Sequence, residues 1–326
     1  MRTVKNLMLA ATVALVPLTV GLARADDFPS RPVHIVIAFP PGGPTDFVGR
    51  VVAEKMKDSL GQTVIIDNKP GANGTLGGEF VAKSDPDGYT LFLSTAGAVT
   101  VSPHIMADIH YDVFRDFAPV ALETKVTEVL AVSPKLGIKT VKELVALAKE
   151  KPGTIPFAST GIGSPPHLAQ ELLDASAGVQ FLHVPYRGAA PALTDLLGGQ
   201  VSVLAADVPV LIAQIRAGTI IPIGAAAQKR DAVLPDLPTL TEQGYPNTDA
   251  SSWYGLFAPA KTPPAVITKI NAAVNAALND PATHDKLVQA GATPVPGSPQ
   301  DFGAFFKSEY EKWGRVVKER NIHEEK

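Results

Sequence analysis

The 326-residue chain has no cysteine, which excludes disulfide staples, thiol catalysis and thiolate metal sites together. Its stability must come from packed cores. No sign of charge dominates: 29 Lys and Arg stand against 32 Asp and Glu, a formal net charge of −3. Binding to nucleic acid needs a basic surface that neutralises phosphates, so nucleic acid is not an expected partner. The seven histidines show neither His-x-x-x-His nor His-Glu-x-x-His spacing, and no metal site is expected. Long apolar runs are missing after the first 25 residues, which argues against a membrane-spanning body. What is present is a chain 45% hydrophobic and 19% charged, punctuated by 29 prolines and 27 glycines. That composition is globular, and at roughly 100–200 residues per domain the length points to two domains.

Residues 1–25 do not read as fold. Arg2 and Lys5 precede an apolar run from Leu7 to Leu22, and Ala23-Arg24-Ala25 supplies an Ala-x-Ala cleavage site. Pro17 and Gly21 interrupt the run, and a retained anchor needs about 20 apolar residues. The pattern predicts a secretory signal peptide cleaved after Ala25. Its removal takes away Arg2, Lys5 and Arg24 and no acidic residue, so the formal charge moves from −3 to −6.

The remainder alternates strands with helices, the pattern of α/β lobes with mostly parallel sheets. Val33–Phe39 is a β-branched apolar run broken by Pro40-Pro41-Gly42-Gly43-Pro44. Thr45 is placed to cap a helix with apolar positions at Val48, Val51, Val52, Met56 and Leu60, and Gly61 to end it. Strands at Thr63–Ile66 and Tyr89–Ser94 flank a short helix over Leu76–Lys83, and Thr95-Ala96-Gly97 forms a turn. The pattern restarts near residue 127. Glu128–Ser133, Ile155–Ala158, Gln180–Val184, Val201–Ala206 and Ile220–Gly224 read as strands with helices between them. Thr140-Val141-Lys142-Glu143 has capping-box spacing. Beyond Trp253 the chain turns helical, ending in a stripe of Phe302, Phe305, Phe306, Trp313, Val316 and Val317 broken only by Glu309.

In each lobe a strand feeds a Gly/Pro-rich loop that opens a helix, over Phe39–Asp46 and Ser159–His167. Helix N-termini leave backbone N–H groups unpaired and carry partial positive charge, which suits a carboxylate or phosphate. Neither loop contains Lys or Arg, so an anion there must be met by amides and by the hydroxyls of Thr45, Thr160 and Ser164. Side chains at Gly42, Gly43, Gly161 or Gly163 would keep the backbone from the ligand. Two such loops suggest a clam-shell cleft. Cofactor binding is not expected: Gly161-Ile162-Gly163-Ser164-Pro165-Pro166 has proline where the third dinucleotide-binding glycine belongs, and no Gly-Lys-Ser/Thr follows. A hydrolase using Ser164 with His167 and Asp207 is an alternative, but the Gly-x-Ser-x-Gly elbow is absent and an N-cap accounts for Ser164.

These loops carry a resemblance. Phe39-Pro-Pro-Gly-Gly-Pro-Thr-Asp46, Asn68-Lys-Pro-Gly-Ala-Asn-Gly74, Pro86-Asp-Gly-Tyr-Thr-Leu91, Gly163-Ser-Pro-Pro-His-Leu168, His183-Val-Pro-Tyr-Arg-Gly188 and Ser251-Ser-Trp-Tyr-Gly-Leu-Phe257 occur in order along the chain. In them the sequence resembles the Bug family, the substrate-binding proteins of tripartite tricarboxylate transporters. The resemblance implies a two-lobed periplasmic binding protein of Venus-flytrap type, not an enzyme. It implies residues 26–127 with 252–326 as one lobe and 128–251 as the other. The ligand would be a small organic mono- or dicarboxylate, and Ala205-Ala206-Asp207 in place of the common Phe-Asp-Asn leaves a roomier wall that would suit an aromatic one. Its partners would be membrane permease subunits, with the receptor itself a monomer; a sensor kinase's outer domain is the alternative recipient. The residues the resemblance places at the ligand are Phe39, Pro40, Gly42, Gly43, Thr45, Asp46, Thr95, Ala96, Ser159, Thr160, Gly161 and Ser164, with His167, Tyr186 and Asp207 as weaker candidates. The common Val-Pro-Tyr-Lys-Gly is here Val-Pro-Tyr-Arg-Gly, which keeps the charge at Arg187 and changes its donor geometry.

Overall fold

The computed structural model describes residues 28–323. The expected leader and the cleavage site expected after Ala25 lie outside the described residues. Strand β1 (Val33–Ile37) is apolar except for His34, and its other four residues are buried. It runs through the Gly/Pro loop into α1 (Pro44–Leu60), which Gly61 ends in the left-handed conformation at φ 68°. Gly43 rather than Thr45 takes the N-cap position. Pro44 is pre-set for the first helical turn, so the helix starts ahead of Thr45 and draws it inside.

β2 (Val64–Asn68), α2 (Thr75–Ala82) and β3 (Thr90–Thr95) follow, and a π-helical turn over Gly97–Val101 leads into α3 (Ser102–Ile105). β4 (Phe117–Val126) ends one residue before β5 (Glu128–Val132) begins in a different sheet. The second lobe contains α4 (Val141–Glu150), β6 (Pro156–Ser159), α5 (Pro165–Ala177), β7 (Leu182–Pro185), α6 (Ala189–Gly198), β8 (Val203–Asp207), α7 (Val208–Arg216) and β9 (Ile221–Ala226). The chain then returns through β10 (Ser252–Pro259), α8 (Pro264–Asn279), α9 (Pro281–Gln289), β11 (Ala292–Pro294) and α10 (Pro299–Glu319).

One sheet has the order β11-β4-β10-β3-β1-β2 and the other β7-β6-β8-β5-β9. The strands joined through helices pair in parallel, as β1 does with β2 and β3, and β6 with β7 and β8. The strands that arrive from the opposite lobe run against their neighbours: β10 against β3 and β4, and β5 against β8 and β9. Both sheets are therefore mixed, because each lobe receives a crossing strand that no helix has turned around.

Helices α1 and α8 cover one face of the first sheet through Val48, Val52, Met56, Ile270 and Val274. Phe92, Phe117, Phe257, Phe302 and Phe306 pack on the other face around Trp253. In the second lobe α4 and α5 bring Leu144, Leu168 and Leu173 against Leu130, Val132 and Phe157. Thr140 and Glu143 form the capping box that opens α4.

α10 belongs to both lobes. Its first half supplies Phe302 and Phe306 to the first lobe, while Trp313 and Val317 join the core of the second. Arg320, just past its end, donates to Glu171 of α5 at 3.1 Å. Glu309, the one break in the apolar stripe, is buried where the halves meet. It accepts from Trp313 Nε1 at 3.0 Å and from Trp253 Nε1 at 3.4 Å.

Replacing Glu309 by Ala leaves two buried indole donors unpaired and is expected to cost about 2–4 kcal/mol in urea denaturation. An unchanged midpoint would show that neither indole depends on it. Asp174 of α5 offers a pH test. One of its oxygens accepts from the Phe181 N–H at 3.5 Å and the other has no partner. Burial, aided by the neighbouring Glu171, pushes its pKa up to about 7. Its folded pKa lies above its unfolded one, so its stabilising contribution is complete in acid and lost as pH rises through neutrality. Asp174→Asn should therefore raise the melting temperature at alkaline pH more than at acid pH; an equal change at both would contradict the assignment.

Candidate ligand-binding site

The first loop is built around Asp46, whose carboxylate is spent on the loop itself. Its Oδ2 accepts from the Gly42 N–H and from Arg50 Nε, both at 2.9 Å, and its Oδ1 accepts from Asn68 Nδ2 at 2.9 Å. Burial pushes the Asp46 pKa up, but the hydrogen bonds from Arg50, Gly42 and Asn68 together outweigh it and hold the group ionised, below the usual range. Asn68 also donates to the Phe39 carbonyl at 3.1 Å and accepts from Arg50 at 3.1 Å. Arg50 is thus committed within the scaffold. Pro40 stays exposed, Gly42 turns the chain at φ 83°, and α1 opens at Gly43 without a side-chain cap. The first-turn amides of α1, at Thr45 and Asp46, lie where a helix offers its N–H groups no intrahelical acceptor.

The second loop is held from beneath by two histidines. Ser159, fully buried, makes a 2.7 Å hydrogen bond with His183 Nε2, and its hydroxyl oxygen also accepts from the Gly161 N–H at 3.2 Å. His183 stacks on His167 with ring centroids 3.9 Å apart. Burial, and then the His167 ring, push the His183 pKa down to about 3, so that ring is neutral. His167 Nδ1 accepts from the Gly163 N–H at 3.1 Å. Ser164 caps α5, accepting from the His167 N–H, and donates its hydroxyl to the Gly161 carbonyl at 2.6 Å. The Ser164 hydroxyl is therefore turned toward a carbonyl, and the His167 ring toward a backbone amide; the arrangement does not assemble a nucleophile with its base. Thr160, half-buried between these fixed points, makes no protein hydrogen bond among the described residues.

The remaining candidates divide. Thr95 ends β3 directly opposite Tyr254 of β10, and Ala96 is wholly buried at the start of the π-helical turn. Tyr186 donates to Asp195 at 2.6 Å, which directs its hydroxyl away from the loop amides. Asp207, at the end of β8, accepts from the Tyr254 hydroxyl at 2.5 Å across the junction of the two sheets. Four residues not singled out from sequence complete the picture: Asn68 and His183 as loop supports, Asn73 and Tyr254 as bridges. All four lie within the stretches that carry the family resemblance, which was the available signal.

The loops of the two lobes touch. A Cβ built on Gly97 would lie 3.5 Å from the Gly163 carbonyl and 3.2 Å from Asn73 Nδ2. Asn73 holds a left-handed backbone at φ 50° and donates to Ser102 at 3.2 Å. A Cβ on Gly163 would meet Ile105 of α3 at 2.5 Å. The second-lobe loop is therefore seated on the turn after β3, with backbone against backbone.

This arrangement of two mixed sheets with helix-opening loops at their junction has relatives. Residues 48–322 match the tripartite tricarboxylate transporter family receptor, TctC. The chain belongs to this family. It is 38% identical to the protein BugT of Bordetella pertussis over 315 residues, 95% of this chain and 97% of that one. Among solved structures it is similar to Rpa4515 of R. palustris with adipate, at 34% identity and a TM-score of 0.87 over 91% of this chain and 99% of that one. It is likewise similar to MatC of Rhodopseudomonas palustris with bound malate, at 33% identity and a TM-score of 0.83 over 89% of this chain and all of the other. A further likeness to the aliphatic sulphonate binding protein SsuA of Escherichia coli, at 14% identity and a TM-score of 0.55, concerns the fold alone. TctC chains are periplasmic solute-binding receptors, not enzymes, and this chain is one of them.

Gly163→Ala tests the seating of the second loop. The residue has φ 74° and no room for a Cβ beside Ile105. The variant should lose about 1–2 kcal/mol through the left-handed penalty alone, read as a lower melting temperature. An unaltered melting temperature would mean that the loop lifts off α3 without cost.

Proposed function

We propose that this receptor captures a small organic carboxylate, mono- or dicarboxylate, between its two lobes and hands it to the permease subunits of a tripartite transporter. The observation that carries the reading is the helix-opening loop of the second lobe seated on the turn after β3 of the first, with Arg50, in the helix that the first loop opens, already committed to Asp46. An anion at this place is met by backbone amides and hydroxyls. The groups offered are the first-turn amides of α1 at Thr45 and Asp46, the hydroxyls of Thr45 and Thr160, and the open backbone at Gly43 and Gly161. Phe39, Pro40, Gly42, Thr95 and Ala96 form the wall on the first lobe. Ser159, Ser164, His167 and Tyr186 hold the facing loop in shape, and Asp207 closes the floor. The smaller side chains at Ala205 and Ala206 favour a longer or aromatic carboxylate over a compact one.

In this reading residues 26–127 with 252–326 form one lobe and 128–251 the other, hinged at Thr127, at the start of β10 and where α10 passes from the first lobe to the second. The receptor acts as a monomer in the periplasm after cleavage behind Ala25. Adipate and malate, which the two similar structures hold, are the first ligands to try.

The test is a thermal-shift and calorimetric series on the mature protein with adipate, malate, an aromatic carboxylate and dimethyl adipate. A bound carboxylate at about a hundredfold over its Kd should stabilise by roughly 2.7 kcal/mol by mass action. The dimethyl ester should give no shift. If only amines, sugars or metal ions stabilised the protein, or the ester bound as well as the acid, the amide cradle would be refuted.

A further inference from the structure

Two carboxyls face each other where the lobes join: Glu128 is buried, and Asp207 is half-buried with its Oδ1 inaccessible. Glu128 is the first residue of β5, immediately past the crossing at Thr127, and is wholly inaccessible. Asp207 is the last residue of β8, and the strand register places the two directly opposite on one face of the sheet. Neighbouring strands bring such pairs to about 5 Å at Cβ. Of the four carboxyl oxygens, Asp207 Oδ2 accepts from Tyr254, and the other three have no partner.

The surroundings supply no counter-charge. β9 places Ala226 opposite Glu128, and α7 begins with Val208. β3 and β4 place Thr95 and Thr124 on either side of Tyr254, and α1 brings the Thr45 hydroxyl beside it. Among the described residues, the ionisable groups that act on the pair are its own two members and Tyr254, with no lysine, arginine or histidine among them. Two carboxylates in this position cannot both be ionised while water is excluded.

We propose that Glu128 and Asp207 form a proton-operated latch on the lobes: one proton shared between them keeps the junction closed, and its loss opens the cleft. With the proton present, the Glu128 carboxyl donates to Asp207, and Asp207 accepts from Tyr254. Because Tyr254 belongs to the first sheet and Asp207 to the second, this chain of hydrogen bonds ties lobe to lobe. With the proton gone, two charges share a dry pocket, and water reaches them only if Tyr254 and Asp207 part. Burial, and then Asp207, push Glu128 well above the usual carboxylate range. Burial also raises Asp207. The sign follows from the linkage: the closed state holds the extra proton, so closure is favoured in acid and weakens as pH rises through the titration of the pair. The inference rests on the two-lobed receptor reading but needs no ligand to be tested.

The experiment is small-angle scattering on the mature, ligand-free protein from about pH 5 to about pH 9, the span in which buried glutamates titrate. The radius of gyration of the native protein should rise with pH. Glu128→Gln supplies a permanent amide donor to Asp207 and should stay compact across the range. Tyr254→Phe, which cuts the tie between lobes, should be expanded throughout. Infrared difference spectroscopy of the native protein against Glu128→Gln gives an independent reading, since burial keeps protons on Glu123 and Asp174 toward neutrality as well: a protonated-carboxyl C=O band that the variant lacks should be present at neutral pH and vanish as the protein expands. A radius independent of pH, or a Glu128→Gln profile that follows the native one, would overturn the latch. So would a neutral-pH difference spectrum in which Glu128→Gln removes no protonated-carboxyl band. Failure of the latch leaves carboxylate capture standing, since that is read from ligand-induced stabilisation; failure of capture leaves the scattering result intact.

Discussion

The chain passes from one sheet to the other across a single residue, Thr127, and much of the molecule follows from that constraint. So short a crossing puts the start of β5 at the rim of the first lobe and makes β5 run against β8. The return through β10 does the same in the other direction. Parallel βαβ units would leave both lobes as independent bodies; the crossing strands weld them at one edge and leave the opposite edge free. The helix-opening loops then meet at the seam, because parallel strands deliver their C-terminal ends, and the helices that follow them, to one side of a sheet.

Electrostatics at the seam follow a rule of self-sufficiency. Asp46 neutralises Arg50 within the first loop, His183 is neutral beneath the second, and the Glu171–Arg320 pair is spent on tying α10 to α5. The charged groups that build these loops are committed to one another. Recognition by fixed amides has a physical advantage here: dipoles that already point inward need no reorganisation when the ligand arrives. It also discriminates weakly among carboxylates, so choice of ligand falls to the shape of the wall.

Much of this was legible in the sequence, and the exceptions have physical causes. β1 and β3 announced themselves as apolar runs ending in small residues, and their loops carried the family's motifs. β4 did not. Its segment contains Pro119, Glu123 and Lys125, which interrupt the apolar pattern of a strand, and it is a strand because β10 and β11 pair with it on either side. Glu123 is the extra residue at an irregularity opposite Tyr254 and Gly255, a feature only tertiary context creates. Thr45 was misplaced as a cap because Pro44 starts the helix sooner. Among the candidate residues, the loops were found but not the division of labour within them. That Asp46 turns inward depends on Asn68, and that Asp207 meets Glu128 depends on the register of antiparallel strands far apart in sequence. Neither is encoded locally.

Glu309 binds both tryptophans of the chain, one rooted in each lobe, through a single carboxylate oxygen. The protein's intrinsic ultraviolet emission therefore originates at one place, the point where α10 passes from lobe to lobe. Nature has in effect supplied a single-locus optical gauge of the junction, with no dye or engineered label required. Any rearrangement there alters the polarity felt by two indoles at once, so hinge motion can be followed in real time by fluorescence.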